Sequence, residues 1–106
     1  MNSVLRAIHA RPDLYFNRND RLFTCLDAFL GGYQVGSAMA KLGSDDFVEL
    51  VPSGFHKFVT EKFGEHFPAS GKGWQWFIEQ NTSSEREAFD LFFALQEEYD
   101  QYQSGK

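Results

Sequence analysis

Apolar residues recur with a helical period through most of the chain. The longest such run is residues 21–42, where Leu22, Leu26, Phe29, Leu30, Tyr33 and Met39 fall on one helical face. Gly31, Gly32 and Gly36 lie inside it. Each glycine costs a helix about 0.5–1 kcal/mol relative to alanine, so three of them predict a neighbouring helix in close approach. A second long pattern covers residues 84–102. Ala88, Phe92, Leu95, Tyr99 and Tyr102 form its stripe, and Phe89 and Phe93 widen it. Ser84 and Glu87 have the spacing of a capping box at its start.

Shorter patterns fill the rest. Val4, Leu5 and Ile8 predict a helix over residues 3–10, capped by Ser3 and closed before Pro12, because proline disfavours helical geometry in the residue preceding it. Residues 11–20 read as a connector. Leu14, Tyr15 and Phe16 are expected to turn toward the core, and Asn19 or Asp20 to cap the long helix. Gly43 is the expected stop of that helix. Residues 47–51 (FVELV) fit one helical turn or a short extended piece, the turn being preferred. Ser53 is expected to cap a helix reaching Phe63, with Phe55, Phe58, Val59 and Phe63 inward and Gly64 as terminator. Residues 65–73 are loop-like. Residues 74–80 form a short helix with Trp74, Phe77 and Ile78 inward, which leaves Trp76 outward. The predicted architecture is an all-α, single-domain compact bundle spanning residues 1–106. It has about five helices, the short ones set around a central long helix (21–42) and a C-terminal helix (84–102).

Composition agrees with one self-sufficient core. Of 106 residues, 18 are aromatic and 12 of those are phenylalanine; each aromatic removes about 150–250 Å² from water when buried. The lone cysteine, Cys25, excludes an internal disulfide and is expected to pack on the apolar flank of its helix. Arg6, His9 and Arg11 interrupt the early apolar run, and nowhere do 18 apolar residues run together, so a cytoplasmic location with no membrane association is expected.

Charge changes the picture more. The net charge is −5, and it is unevenly placed: residues 1–41 carry three acids and five bases, whereas residues 79–102 carry seven acids and one base. Nucleic acid is recognised through clustered lysine and arginine, so a nucleic-acid partner is disfavoured and a basic protein partner favoured.

Catalytic chemistry finds little support. His9, His56 and His66 are scattered without ligand spacing. Ser37 and Ser53 sit in no nucleophile-elbow frame, and the glycines at 31, 32 and 36 follow no strand. Lys72 is a single cation in its loop. No catalytic residue, metal ligand or cofactor is assigned. The acids are the better candidates. On the C-terminal helix, Glu87, Asp90 and Glu97 lie opposite the apolar stripe and Glu98 borders them, with no lysine on that helix to balance them. Such a strip is most often a solvated face; it also serves to capture a cationic partner. Asp45, Asp46 and Glu49 make a second acidic cluster, and Trp76 is a candidate aromatic anchor. The expected partner-binding set is therefore Asp45, Asp46, Glu49, Trp76, Glu87, Asp90, Glu97 and Glu98.

Arg11-Pro12-Asp13-Leu14-Tyr15, followed by Leu26-x-x-Phe29-Leu30-x-Gly32-Tyr33-x-x-Gly36, resembles a set of small bacterial helical proteins. Their pattern is R-P-x-M/L-Y, then L-x-x-F-L-x-G-Y. A phenylalanine-rich helix, a G-W pair (here Gly73-Trp74) and a closing acidic helix with an aromatic pair (Phe92-Phe93) extend the resemblance over most of residues 4–100. The glycine usual soon after R-P-x-M/L-Y is absent here, where Phe16-Asn17 stand. Many such proteins resemble immunity proteins of polymorphic or contact-dependent growth-inhibition toxin systems. The resemblance implies a neutralising partner rather than an enzyme; taken with the charge asymmetry, the expectation is a protein, monomeric when free, that binds and neutralises a cognate basic toxin, a nuclease by preference. The resemblance transfers no binding site, because the shared residues read as fold determinants. The alternative reading is a regulatory or homodimeric interaction module using the Gly31–Gly36 face.

Overall fold

The structure, a computed structural model, describes residues 1, 3–16, 19–40, 50–52, 54–65 and 73–105, with the side chains of residues 19 and 37–40 excepted. These residues form an all-α single compact domain. The helices are α1 (Ser3–Ala10), α2 (Pro12–Tyr15), α3 (Leu22–Ala40, preceded by a 3₁₀ turn at Asn19–Arg21), α4 (Phe55–Lys62), α5 (Trp74–Gln80) and α6 (Glu85–Ser104). The helix beyond the five expected is α2, a single turn that opens on Pro12. A proline is well placed there, since its missing N–H is one that a first helical turn leaves unpaired anyway.

The two long helices form the frame, and packing converges on α6, which touches α3, α4, α5 and the 3₁₀ turn. Ala88, Phe89, Phe92, Phe93, Leu95 and Tyr99 of α6 are buried, as the stripe predicts, whereas Tyr102 is half exposed. At the centre, the ring of Phe55 meets Trp74 at 5.7 Å, Phe92 at 5.7 Å and Tyr99 at 6.0 Å between centroids. Edge-to-face pairs of this kind add about 0.5–1.5 kcal/mol beyond the area they bury. Trp74, Phe77 and Ile78 of α5 point inward as expected, and Cys25 packs half-buried against the core. Thr60 and Gln96 are buried in the same core. Among the described residues, the Thr60 hydroxyl and the Gln96 amide nitrogen have no hydrogen-bond partner.

Several expectations are corrected. Only Phe16 of the Leu14–Phe16 trio is buried; Leu14 is 63% and Tyr15 54% exposed, because the single turn of α2 carries them outward. Among the described residues, no helix makes the close approach expected at the α3 glycines: nothing lies within 4 Å of a Cβ built at Gly31, Gly32 or Gly36. The close approach occurs elsewhere, at Gly54, where a Cβ would meet the Tyr99 hydroxyl at 2.5 Å. The expected cap at Ser53 and stop at Gly43 lie outside the described residues, as do residues 47–49 of the FVELV segment; Leu50 and Val51 form a bend.

Helix ends show where local and tertiary rules divide. Gly64 terminates α4 with φ of +85°, and the amides of Gly64 and Glu65 return to the carbonyls of Glu61 and Thr60, a Schellman motif. A 3₁₀ turn at Asn19–Arg21 leads into α3. The first-turn amide of Thr24 donates to Glu85 Oε1 at 2.8 Å, and the Thr24 hydroxyl donates to Glu85 Oε2 at 3.1 Å. A carboxylate from α6 thus caps α3, where the helix dipole also favours negative charge. Replacing Glu85 by alanine is expected to lower stability by about 1–2 kcal/mol, measured by urea denaturation. Glutamine, which keeps an acceptor, should recover part of that loss.

Candidate functional site

Among the described residues, two surface features bear on function: the outward face of α6 and a cleft beside α3. The helix α6 holds six acids and one base, so the rest of the chain is left with nine of each. The whole net charge of the protein therefore equals that of one helix. Glu87, Asp90 and Glu97 are exposed on the side away from Phe92, Leu95 and Tyr99, and Glu98 is exposed at the border of that strip.

The structure tempers the expected imbalance. Asp90 pairs with Arg86 at 3.2 Å, one turn away, and Glu98 pairs with Lys62 of α4 at 3.0 Å. Asp100 pairs with the Met1 ammonium. Along α6 itself no lysine balances the strip; tertiary packing supplies one from α4. Both side-chain pairs are exposed, and such pairs are worth only about 0–1 kcal/mol, so a partner's cations can replace them at little cost.

Glu87 has a structural duty as well. The Glu87 amide donates to Ser84 Oγ at 3.1 Å, the expected half of the capping box. The return bond goes one residue further out, with Ser83 N and Ser83 Oγ both donating to Glu87 Oε2 at 3.0 Å. These bonds, the backbone one first, hold the Glu87 carboxyl below its ordinary value of 4.5. A folded-state value below the unfolded one gives stability that is present at neutral pH and lost as pH falls through the folded value. The E87Q variant should therefore lose stability less steeply than the parent below about pH 5, as followed by chemical denaturation across that range.

Trp76 stands on α5, 39% exposed, with its ring edge-to-face on Phe77 at 5.1 Å. It is thus on a different helix from the four acids of α6. Asp45, Asp46 and Glu49 lie outside the described residues.

The second feature was not anticipated. A cleft of about 450 Å³ opens between α3, residues 50–52 and the starts of α4 and α5. Asp27 and Tyr33 of α3, His56 of α4 and Trp74 and Gln75 of α5 line it. Gln75 Nε2 donates to Asp27 Oδ1 at 3.1 Å. One signal for it was visible: Asp27 is the sole charged residue between Leu22 and Ala40. Its partners come from elements about 30 and 50 positions later, which no local pattern joins.

Fold and surface together define a small all-α domain whose negative charge is concentrated on one helix. No protein-family model matches the chain, and comparison with curated proteins and with solved structures finds no significant match. Among the described residues, no helix is long and apolar enough to cross a membrane.

Proposed function

We propose that this protein is a binding domain that neutralises a basic protein partner, acting as an immunity protein against a bacterial toxin, a nuclease by preference. The observation that carries the reading is the concentration of the net charge of −5 on α6, with Glu87, Asp90, Glu97 and Glu98 exposed along one arc. Complementary fields of this sort speed encounter and set orientation. A nuclease must hold phosphates with lysines and arginines, and an acidic helix laid over those groups blocks substrate by occupying the same charges. A standard interface would bury about 1,600 Å² in total, more than one helix face supplies, so surface beyond α6 takes part, with Trp76 of α5 the candidate anchor. The resemblance of the R-P-D-L-Y and L-x-x-F-L-x-G-Y segments to immunity-like proteins supports the same role.

Co-expression provides the test. The C-terminal domain encoded by the gene immediately upstream should arrest growth when produced alone, and this chain should restore growth when produced with it. Arrest that persists at equal expression of both proteins would defeat the immunity reading.

A further inference from the structure

We propose that the cleft beside α3 is a receptor for a basic side chain, an arginine by preference, presented by the protein partner. The proposal rests on the basic-partner reading above and assigns one contact point within it. At about 450 Å³ the cleft is within the size range of sites that take small groups, about 300–1,000 Å³. Its walls include Leu30, Leu50 and Trp74, all buried in the core, and the half-buried ring of Tyr33.

The chemistry of the lining narrows what fits. No lysine or arginine is among the described residues around the cleft, and Asp27 supplies its carboxylate. Among the described residues an anion would meet the Asp27 carboxylate, with only the imidazole of His56 to offset it. A purely apolar group would strip water from the Asp27 carboxylate without replacing it, which is unfavourable. A guanidinium meets both demands. It donates charge-assisted hydrogen bonds to the carboxylate, and its planar face and stem suit aromatic and aliphatic walls. The bond from Gln75 Nε2 to Asp27 Oδ1 fixes the carboxylate. Since an ionised carboxylate accepts at about four lone-pair positions, that one bond leaves capacity for a second donor. Gly31 keeps the α3 wall low, with nothing among the described residues within 4 Å of its Cβ position.

The full chain can be titrated with a capped Gly-Arg-Gly peptide and with the same peptide carrying citrulline, which keeps the shape and lacks the charge. Amide shifts read the binding site residue by residue. The arginine peptide should give saturable shifts at Asp27, Tyr33 and Gln75, and the citrulline peptide should not. The Asp27→Asn variant keeps the oxygen that accepts from Gln75, so it should fold normally by circular dichroism and bind about three- to tenfold more weakly. Equal binding of the two peptides, unchanged affinity in the variant, or shifts confined to α6 would each overturn the assignment. Normal cleft binding together with failed growth rescue would defeat the immunity reading alone.

Discussion

Replacing Phe55 by alanine is expected to remove about 3–5 kcal/mol of stability, the range typical of large-to-small changes at fully buried phenylalanines. Phe55 has no exposed surface, and its ring sits where α4, α5 and α6 meet, against Trp74, Phe92 and Tyr99. Alanine forfeits the transfer energy of the ring and leaves a hole. The three neighbours cannot collapse into it, since Trp74 is pinned by α5 and both Phe92 and Tyr99 by α6. A domain of this size has about 5–15 kcal/mol in hand, so the loss is a large part of the total. The midpoint of thermal unfolding should fall by about 12–40 °C, at about 4–8 °C per kcal/mol. Urea denaturation followed by tryptophan fluorescence would read the change directly, because Trp74 is one of the rings affected. A loss below about 1 kcal/mol would mean that the aromatic centre is not the keystone of the fold.

The second large effect concerns encounter with the partner. Changing Glu87, Asp90 and Glu97 to their amides should slow association with a basic toxin domain by about tenfold or more at low salt, with a smaller change in dissociation. The amides keep hydrogen-bond acceptors, including the one that the Ser83 end of α6 uses, so the fold should survive. Ionic strength supplies the control. The parent's association rate should fall steeply between about 0.01 and 0.15 M salt, as the screening length shrinks from about 30 to 8 Å, and the variant's should barely move. Stopped-flow mixing at two salt concentrations would measure both. Equal rates for parent and variant at low salt would remove α6 from the recognition mechanism.

The core was largely legible because helical burial is a local, periodic property. Phe89, Phe92 and Phe93 are inward for the reason the pattern implies: they lie on one side of a helix at 3.6 residues per turn. The pattern gave no sign of Gln96, which is buried on that same side. The acids of α6 were visible as a strip, yet not their pairing. Arg86 sits one turn from Asp90 on the same helix, while Lys62 reaches Glu98 from α4. Cap chemistry divides the same way. The Gly64 terminator and the Ser84 cap are short-range and were anticipated, whereas Glu85 closing the start of α3 joins residues 61 positions apart.

The amino-acid order alone determined that the protein is helical, that its apolar faces meet in one phenylalanine-rich core, and that its negative charge gathers near the C-terminal end. Those properties depend on neighbours within a few positions, which the chain specifies directly. Only the tertiary arrangement decided which helix the others share, that Gly54 meets the Tyr99 hydroxyl closely, and that Asp27, His56 and Gln75 border one cleft. Contacts of that kind depend on how helices cross, and crossing is set by the summed packing of all the faces at once, which no single stretch of residues encodes.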